Sequence, residues 1–266
     1  MTGFDPRWLA LREPADAAAR AAELVQRIRL GDQPVIRDLG AGTGSMGRWL
    51  APRLSGPQHW ILYDRDPALL DLARTSLPAE SADGAPVTVE TRRAELATLT
   101  AAELAGTALV TCSALLDVCT AAEVRGLVAA CAGAGVPALF TLSVLGRVRL
   151  EPADPLDAVF EDAFNAHQRR TVEGRTMLGP DAAAFAGTEF RRYGWTVHLR
   201  PSPWRLGPGE RELAAAWLRG WVGAAVEERP DLTDKAENYL GHRLETATFG
   251  DLFITVDHAD FYTVSG

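Results

Sequence analysis

Lysine is almost missing from this sequence. Lys235 is the only one, so nearly all of the 27 basic residues are arginine. The 35 acidic residues outnumber them and leave a net charge of −8, which argues against a sequence-independent grip on nucleic acid. Cysteine is scarce too. Cys112, Cys119 and Cys131 are odd in number and fit no C-x-x-C or zinc spacing, so a disulfide framework is not expected and a reducing, cytoplasmic setting fits best. No cluster of His, Cys, Asp or Glu has metal-ligand spacing, and no G-x-S-x-G offers a hydrolase nucleophile. Long apolar runs are also wanting. The uncharged stretch from Gly126 to Gly146 is broken by "AGAGVP", which reads as a helix end, a turn and a buried strand start rather than a membrane span. The first twenty residues carry charges where a secretory signal would be apolar. A hydrophobic content of 47% over 266 residues is enough to bury the core of one large domain, or of a domain plus a lobe.

The patterning predicts five strands alternating with helices. The strands are 34–39, 59–64, 87–92, 108–115 and 137–145; the helices are 15–30, 45–54, 66–77, 98–104 and 120–133. Asp66 with Pro67, and Thr120 with Glu123, mark two helix starts. Such alternation, with few charges in the strands, means a mostly parallel, doubly wound sheet covered on both faces. Beyond Leu145 the rhythm changes. A helix is predicted over 154–170, a loop over 171–179, a helix over 180–193, a strand over 195–200 and a Pro/Gly loop over 201–209. Helices near 209–228 and 233–247 precede a closing strand, 251–264. The division expected is a helical cap over 1–33 and an α/β domain over 34–266, with lid segments 151–179 and 201–250 at the sheet's carboxyl edge.

The segment "PVIRDLGAGTGSMGRWL" (34–50) holds two overlapping patterns. From Gly42 it reads G-x-G-x-x-G (Gly42, Gly44, Gly47), a dinucleotide fingerprint that starts late for its strand. From Asp38 it reads D-x-G-x-G-x-G, with Gly40, Gly42 and Gly44 in register. Asp38 is an acid at the strand tip, where a cationic amine would sit and a pyrophosphate would be repelled. Asp64 ends the second strand 24 residues after Gly40, placed to accept hydrogen bonds from ribose hydroxyls, with Arg65 beside it. "RRAEL" (92–96) follows strand three, and "TCSALLD" (111–117) follows strand four.

Together these residues resemble the class I S-adenosylmethionine-dependent methyltransferases, at motif level over about residues 34–145 and more loosely to the end. The resemblance implies a Rossmann-like sheet whose late strand is antiparallel. It implies S-adenosyl-L-methionine as cofactor, S-adenosyl-L-homocysteine as product, and cofactor roles for Asp38, Gly40, Ala41, Gly42, Gly44, Asp64, Arg65, Glu95, Leu96 and Ser113. From the N-terminal "WLALREPADAAAR" it also implies Arg12 as a partner of the cofactor carboxylate. Where methyltransferases of bases or glutamine carry an Asn/Asp-Pro-Pro-aromatic run, this chain reads "SALL". That favours a small-molecule acceptor, with a hydroxyl or carboxylate oxygen as first choice.

Acceptor-side candidates come from helical spacing. His167 continues the apolar stripe Leu156, Val159, Phe160, Ala163, Phe164 and is expected to face inward, as a core histidine or as a pocket base. Asn165, Arg170, Trp204 and Arg205 are the expected acceptor contacts. The rival class is a nicotinamide-dependent oxidoreductase using the Gly42–Gly47 pattern. It needs a Tyr–Lys pair, and Lys235 with Tyr239 lies in the lid. A non-catalytic binding module on the same fold is the third reading.

Overall fold

The computed structural model describes residues 5–94 and 99–266. Helix α1 spans Pro6–Ala19, capped by the Asp5 side chain, which accepts from the Arg7 N–H at 2.8 Å. Strand β1 (Val35–Leu39) leads through the glycine turn into α2 (Ser45–Leu50). Then come β2 (Gln58–Asp64), α3 (Pro67–Arg74), β3 (Val87–Arg93) and β4 (Thr107–Ser113). Helix α4 (Ala121–Ala134) has the expected capping box of Thr120 and Glu123, and a left-handed Gly135 closes it. Strand β5 (Ala138–Glu151) is followed by α5 (Asp157–Gln168), the short strands β6 (Thr171–Val172) and β7 (Arg175–Thr176), and α6 (Ala182–Arg192). Strands β8 (Trp195–Pro201) and β9 (Trp204–Leu206), helices α7 (Arg211–Glu228) and α8 (Thr233–Phe249), and strand β10 (Phe253–Ser265) complete the chain.

The main sheet runs in the order β3-β2-β1-β4-β5-β10-β8, with β9 also paired to β10. The pairs β1–β2, β1–β4, β2–β3 and β4–β5 are parallel, and β10 is antiparallel to both β5 and β8. This is the doubly wound sheet with an antiparallel last strand that the sequence implied. One face is covered by α4 and α6, around Phe140, Phe190 and Phe261. The other is covered by the N-terminal segment and α2, around Leu24, Trp49 and Trp60. A third cluster packs α5, α7 and α8 with residues of α1 and the outer ends of β5 and β10. Among the described residues, no helix is long and apolar enough to cross a membrane.

Four local expectations are corrected. The helix predicted over 15–30 is two pieces: α1 begins far earlier and tolerates Pro14, and a 3₁₀ turn covers Ala22–Arg27. The break falls where the Ala21 N–H donates to Asp260 Oδ2 at 2.8 Å instead of continuing the helix. Residues 101–106 are turns, not the helix predicted over 98–104. The predicted loop 171–179 contains the β6–β7 hairpin, and the predicted loop 201–209 contains β9, which pairs with Ile254–Val256. Both are short strands with little periodicity to read.

Strand β5 carries a bulge near the middle. Leu142 is fully buried at φ 55, a rare conformation for a branched side chain. Its N–H donates to Asp260 Oδ1 at 2.7 Å, so this one carboxylate of β10 ties down both the bulge and the break after α1.

Candidate active site

The carboxyl ends of β1, β2 and β4 converge on the glycine turn. Gly40, Gly42 and Gly44 all adopt positive φ (66°, 54° and 87°), as the Asp38 register requires. At Gly40 a Cβ would also lie 2.7 Å from Leu115 Cδ2. Gly47 has another part. It lies inside α2, where a Cβ would meet Leu77 at 2.6 Å, so it lets the helix approach its neighbour. The turn is fastened to β2: the Ala41 N–H donates to the Tyr63 carbonyl at 2.9 Å, and the Gly42 N–H to Asp64 Oδ2 at 2.9 Å. Asp64 Oδ1 accepts from the Asp66 N–H at 3.0 Å.

Beneath the turn lie two buried charges with unmet valence. Asp38 is fully buried; its Oδ1 accepts from Thr111 Oγ1 at 2.7 Å, and its Oδ2 has no partner among the described residues. Burial pushes this carboxyl up to about 7. Arg20 Nη2 donates to Ser45 Oγ at 3.2 Å and Ser113 Oγ at 3.1 Å, while its Nε and Nη1 are buried without partners. Its guanidinium lies 5.6 Å from the Trp49 ring centre. Burial pulls the Arg20 value down, opposed by the nearby carboxylates of Asp16 and Asp260. Nothing in the sequence singles out Arg20. It is one arginine among many on an Ala-rich helix, and only the break at Ala21 turns it inward.

Two cavities adjoin here. The smaller, of about 190 Å³, is bordered by Arg12, Asp38, Gly40, Ala41, Gly42, Asp64, Arg65 and Ser113 of the expected cofactor residues. Gly44 sits behind it, against Ser76 and Leu77. Glu95 and Leu96 lie outside the described residues. Arg12 borders the cavity with its guanidinium held on Asp16 at 2.9 Å through Nε and Nη2 and resting on Trp204, 5.0 Å from the ring centre. The larger cavity, of about 520 Å³, shares Arg12, Ala114 and Val118 with the smaller.

Of the expected acceptor residues, Trp204 and Asn165 border the larger cavity. Trp204 is pinned by its Nε1, which donates to Asp16 Oδ1 at 2.9 Å. Three expectations are corrected. His167 borders neither cavity: it lies at the edge between α5 and α7, its Nε2 3.0 Å from Glu227 and its Nδ1 2.9 Å from Arg170. Arg170 is turned back onto the His167 carbonyl at 2.8 Å and also borders neither. Arg205 is exposed, because alternation along β9 sends it to the face opposite the buried Trp204 and Leu206. The α5 stripe does face inward, but the residues that reach the cavity are Phe164, Asn165 and Gln168.

Three ionisable residues of the larger cavity were missed: the exposed Arg147 of β5, Asp117 and His258. Asp117 lies in the turn after β4, and burial raises its carboxyl. His258 is buried beside Trp204, and its Nδ1 is 2.9 Å from the Val256 carbonyl. Burial and the charge of Arg12 push it down to about 3, so the ring is neutral at physiological pH. The sequence signal for Asp117 was its place at the end of "TCSALLD"; for His258 there was none.

No protein-family model and no curated protein matches the sequence. Solved structures do. A cyclopropane synthase from Mycobacterium tuberculosis is 13% identical, over 92% of this chain and 82% of its own, with a TM-score of 0.50. A methyltransferase from Geobacter sulfurreducens, solved with S-adenosyl-L-homocysteine, is 16% identical over the whole of both chains at a TM-score of 0.46. One from Thiobacillus denitrificans, solved with the same ligand, is 15% identical over 99% of this chain and 100% of its own at 0.47. At such identities the likeness is one of architecture, and the first comparison carries it: this chain shares the Rossmann-like fold of that cyclopropane synthase.

Proposed function

We propose that this protein is a methyltransferase that uses S-adenosyl-L-methionine, with the cofactor in the smaller cavity and a small-molecule acceptor in the larger. The observation that carries this reading is the pair of unmet buried charges. Asp38, which borders the smaller cavity, has an Oδ2 that lacks a donor, and Arg20, whose Nε and Nη1 lack acceptors, lies behind Ser45 and Ser113, which also border it. An ammonium and a carboxylate on one carbon, as in the methionine end of the cofactor, supply both. Unpaired buried charges are too costly to keep without such a use. Asp64, at the tip of β2, is then the residue for the ribose. The cofactor carboxylate belongs to Arg20, and Arg12 becomes the residue that closes the junction between the cavities.

The nicotinamide reading loses support on two counts. A pyrophosphate would lie against the buried Asp38, and Tyr239, the one tyrosine near Lys235, is buried elsewhere with its hydroxyl donating to Asp157 at 2.6 Å.

The chemistry asked of the chain is alignment, exclusion of water and, for a hydroxyl acceptor, removal of a proton. Asp117 takes the part first given to His167. It stands between Ala114 and Val118, which border both cavities, and its raised carboxyl is a stronger proton acceptor than an ordinary aspartate. An oxygen remains the first choice of nucleophile. Residues 1–33 serve as a cap over the methionine end, and 151–179 and 201–250 as the cover of the acceptor.

Calorimetric titration with S-adenosyl-L-methionine, S-adenosyl-L-homocysteine and the oxidised and reduced nicotinamide dinucleotides tests the reading. Saturable binding of the first two alone is the expected result. Binding of a nicotinamide alone refutes it.

A further inference from the structure

We propose that the methyl acceptor presents a phenol- or enol-type hydroxyl that bridges Arg12 and Asp117, its oxygen accepting from Arg12 Nη1 and its proton passing to the Asp117 carboxylate. The proposal rests on the methyltransferase reading for what the hydroxyl then undergoes. The recognition itself needs only these two side chains.

Arg12 is held with one edge free. Its Nε and Nη2 donate to the Asp16 carboxylate at 2.9 and 3.2 Å, and Asp16 is itself fixed by the Trp204 indole N–H at 2.9 Å. The guanidinium rests against two rings, 5.0 Å from the centre of Trp204 and 6.0 Å from that of Trp8. Nη1 bonds to no described residue, yet it is not one of the unpartnered atoms sealed from solvent, and the side chain keeps 15% of its surface exposed. Arg12 borders both cavities, so this free edge is what a guest at their junction meets. A donor locked in this way needs no reorganisation when negative charge develops beside it.

Asp117 is opposite in charge and set apart in space. Its oxygens bond to no other described residue, and they too are not sealed from solvent. It borders the larger cavity in the turn between Ala114 and Val118, which border both. Enclosure by protein raises its carboxyl, and the Arg12 charge works against that rise. The two groups are thus close enough to interact, yet they form no ion pair. Opposite charges that share a cavity without touching leave a gap for a group that both donates and accepts. The other two ionisable residues of this cavity do not fit the part. His258 is too weak a base to take the proton, and Arg147 is exposed on β5. Arg147 also lets the guest carry an acid elsewhere.

Charge narrows the reacting group. A carboxylate there would be repelled by Asp117 and an ammonium by Arg12; a neutral hydroxyl answers both. Acidity narrows it further. A tyrosine-like phenol ionises at about 10 and water at about 15.7, so a carboxylate base helped by one cationic donor can serve a phenol or enol and falls far short for an aliphatic alcohol. The proton goes to Asp117 and from there to water. The oxygen gains the methyl group as the carbon–sulfur bond breaks, with its electron pair left on sulfur. The products are a methyl ether and S-adenosyl-L-homocysteine.

The test uses the full chain saturated with S-adenosyl-L-homocysteine at pH 8, titrated by calorimetry with five probes on one ring system. These are 2-naphthol, its methyl ether, 2-naphthoate, 2-naphthylmethylamine and the aliphatic alcohol 2-naphthalenemethanol. The naphthol is expected to bind at least about fivefold more tightly than each of the others. Arg12→Met keeps an apolar stem against Trp204 and removes the donors; it should weaken naphthol binding at least about fivefold. The second readout is fluorescence. An excited naphthol in an enclosed site gives up its proton only to an acceptor at hand. With protein in excess the bound probe should therefore show naphtholate emission, and Asp117→Asn should reduce that band at least about fivefold. The proposal is overturned if naphthol does not bind, if any other probe binds as tightly, or if Arg12→Met leaves its affinity unchanged. It is equally overturned if naphtholate emission is absent from the bound probe or unchanged in Asp117→Asn. Should Arg12→Met fail to fold, the probe series and the emission of the unaltered chain and of Asp117→Asn still decide. If the chain does not take up S-adenosyl-L-homocysteine, the methyltransferase reading fails, and the same titrations on the free protein still judge the pairing of Arg12 with Asp117.

Discussion

Replacing Asp38 by Asn removes a carboxyl that the ligand-free fold holds at a disadvantage. Asn can still accept the Thr111 hydroxyl bond, so the main change is electrical. An aspartate shifted by burial from 3.8 to about 7 has its ionised form disfavoured by about 4 kcal/mol. The sign follows from proton counting. Between about pH 4 and pH 7 the folded chain keeps a proton that the unfolded chain has lost, so this group's contribution to stability falls as pH rises through that window and is flat above it. Urea unfolding of the ligand-free protein at pH 5, 6, 7 and 8 should follow that decline, and Asp38→Asn should flatten it. Cofactor binding should behave oppositely. The ammonium of S-adenosyl-L-homocysteine is the missing partner of Oδ2, so binding draws the carboxyl into its ionised form. Affinity should then rise about tenfold per pH unit up to about 7 and level off. Asp38→Asn should lose this pH dependence and bind at least about thirtyfold more weakly at pH 8, the consequence of leaving a charged ligand group without its counter-charge. Wild-type affinity in the variant, or an unchanged pH profile, would refute the assignment of Asp38 to the amine.

Arg20→Met keeps the packing of the stem over Trp49 and removes every donor; S-adenosyl-L-homocysteine affinity by calorimetry should drop at least about tenfold. Gly40→Ala combines a left-handed backbone with a contact at Leu115, and urea unfolding should register a loss of about 1–3 kcal/mol. His167→Ala disturbs only the partly exposed edge between α5 and α7, so binding of S-adenosyl-L-homocysteine should stay within about twofold of wild type. With any hydroxyl acceptor that turns over, activity should rise with pH through the raised Asp117 carboxyl. Asp117→Asn should lower kcat, remove that acidic limb and leave cofactor affinity unchanged.

The parallel half of the sheet was legible because its signals are local. Each strand is a short apolar run, each helix start has a cap, and the glycine turn needs φ > 0 at positions only glycine fills readily. Asp38 and Asp64, which border the smaller cavity, were legible for the same reason: they lie at the ends of strands, where the cavity opens. Arg20, Asp117 and His258 were not. Their roles arise from tertiary placement: a helix broken by a distant carboxylate, a turn bordering two cavities, a histidine brought beside Trp204. The helical stripe of α5 correctly turned a face inward, yet a stripe cannot tell which of its members meets a cavity and which meets a neighbouring helix. So Asn165 borders the larger cavity, and His167 and Arg170 do not. Arg205 was lost to the alternation of a three-residue strand too short to register as one.

The Asp260 carboxylate joins Ala21 to the β5 bulge, and its bond to Ala21 spans 239 residues. The strand that carries it is the last in the chain, yet it lies between β5 and β8 rather than at a rim. During synthesis the N-terminal segment therefore emerges long before the group that anchors it, and Arg20 has no fixed seat until β10 arrives. Until then the flank of β5 is a bare row of backbone donors and acceptors, open to any other extended chain. Late insertion of one strand thus closes the sheet, seats the arginine and removes an aggregation hazard in a single step, and the loop it closes spans 239 residues, an arrangement that makes for slow folding.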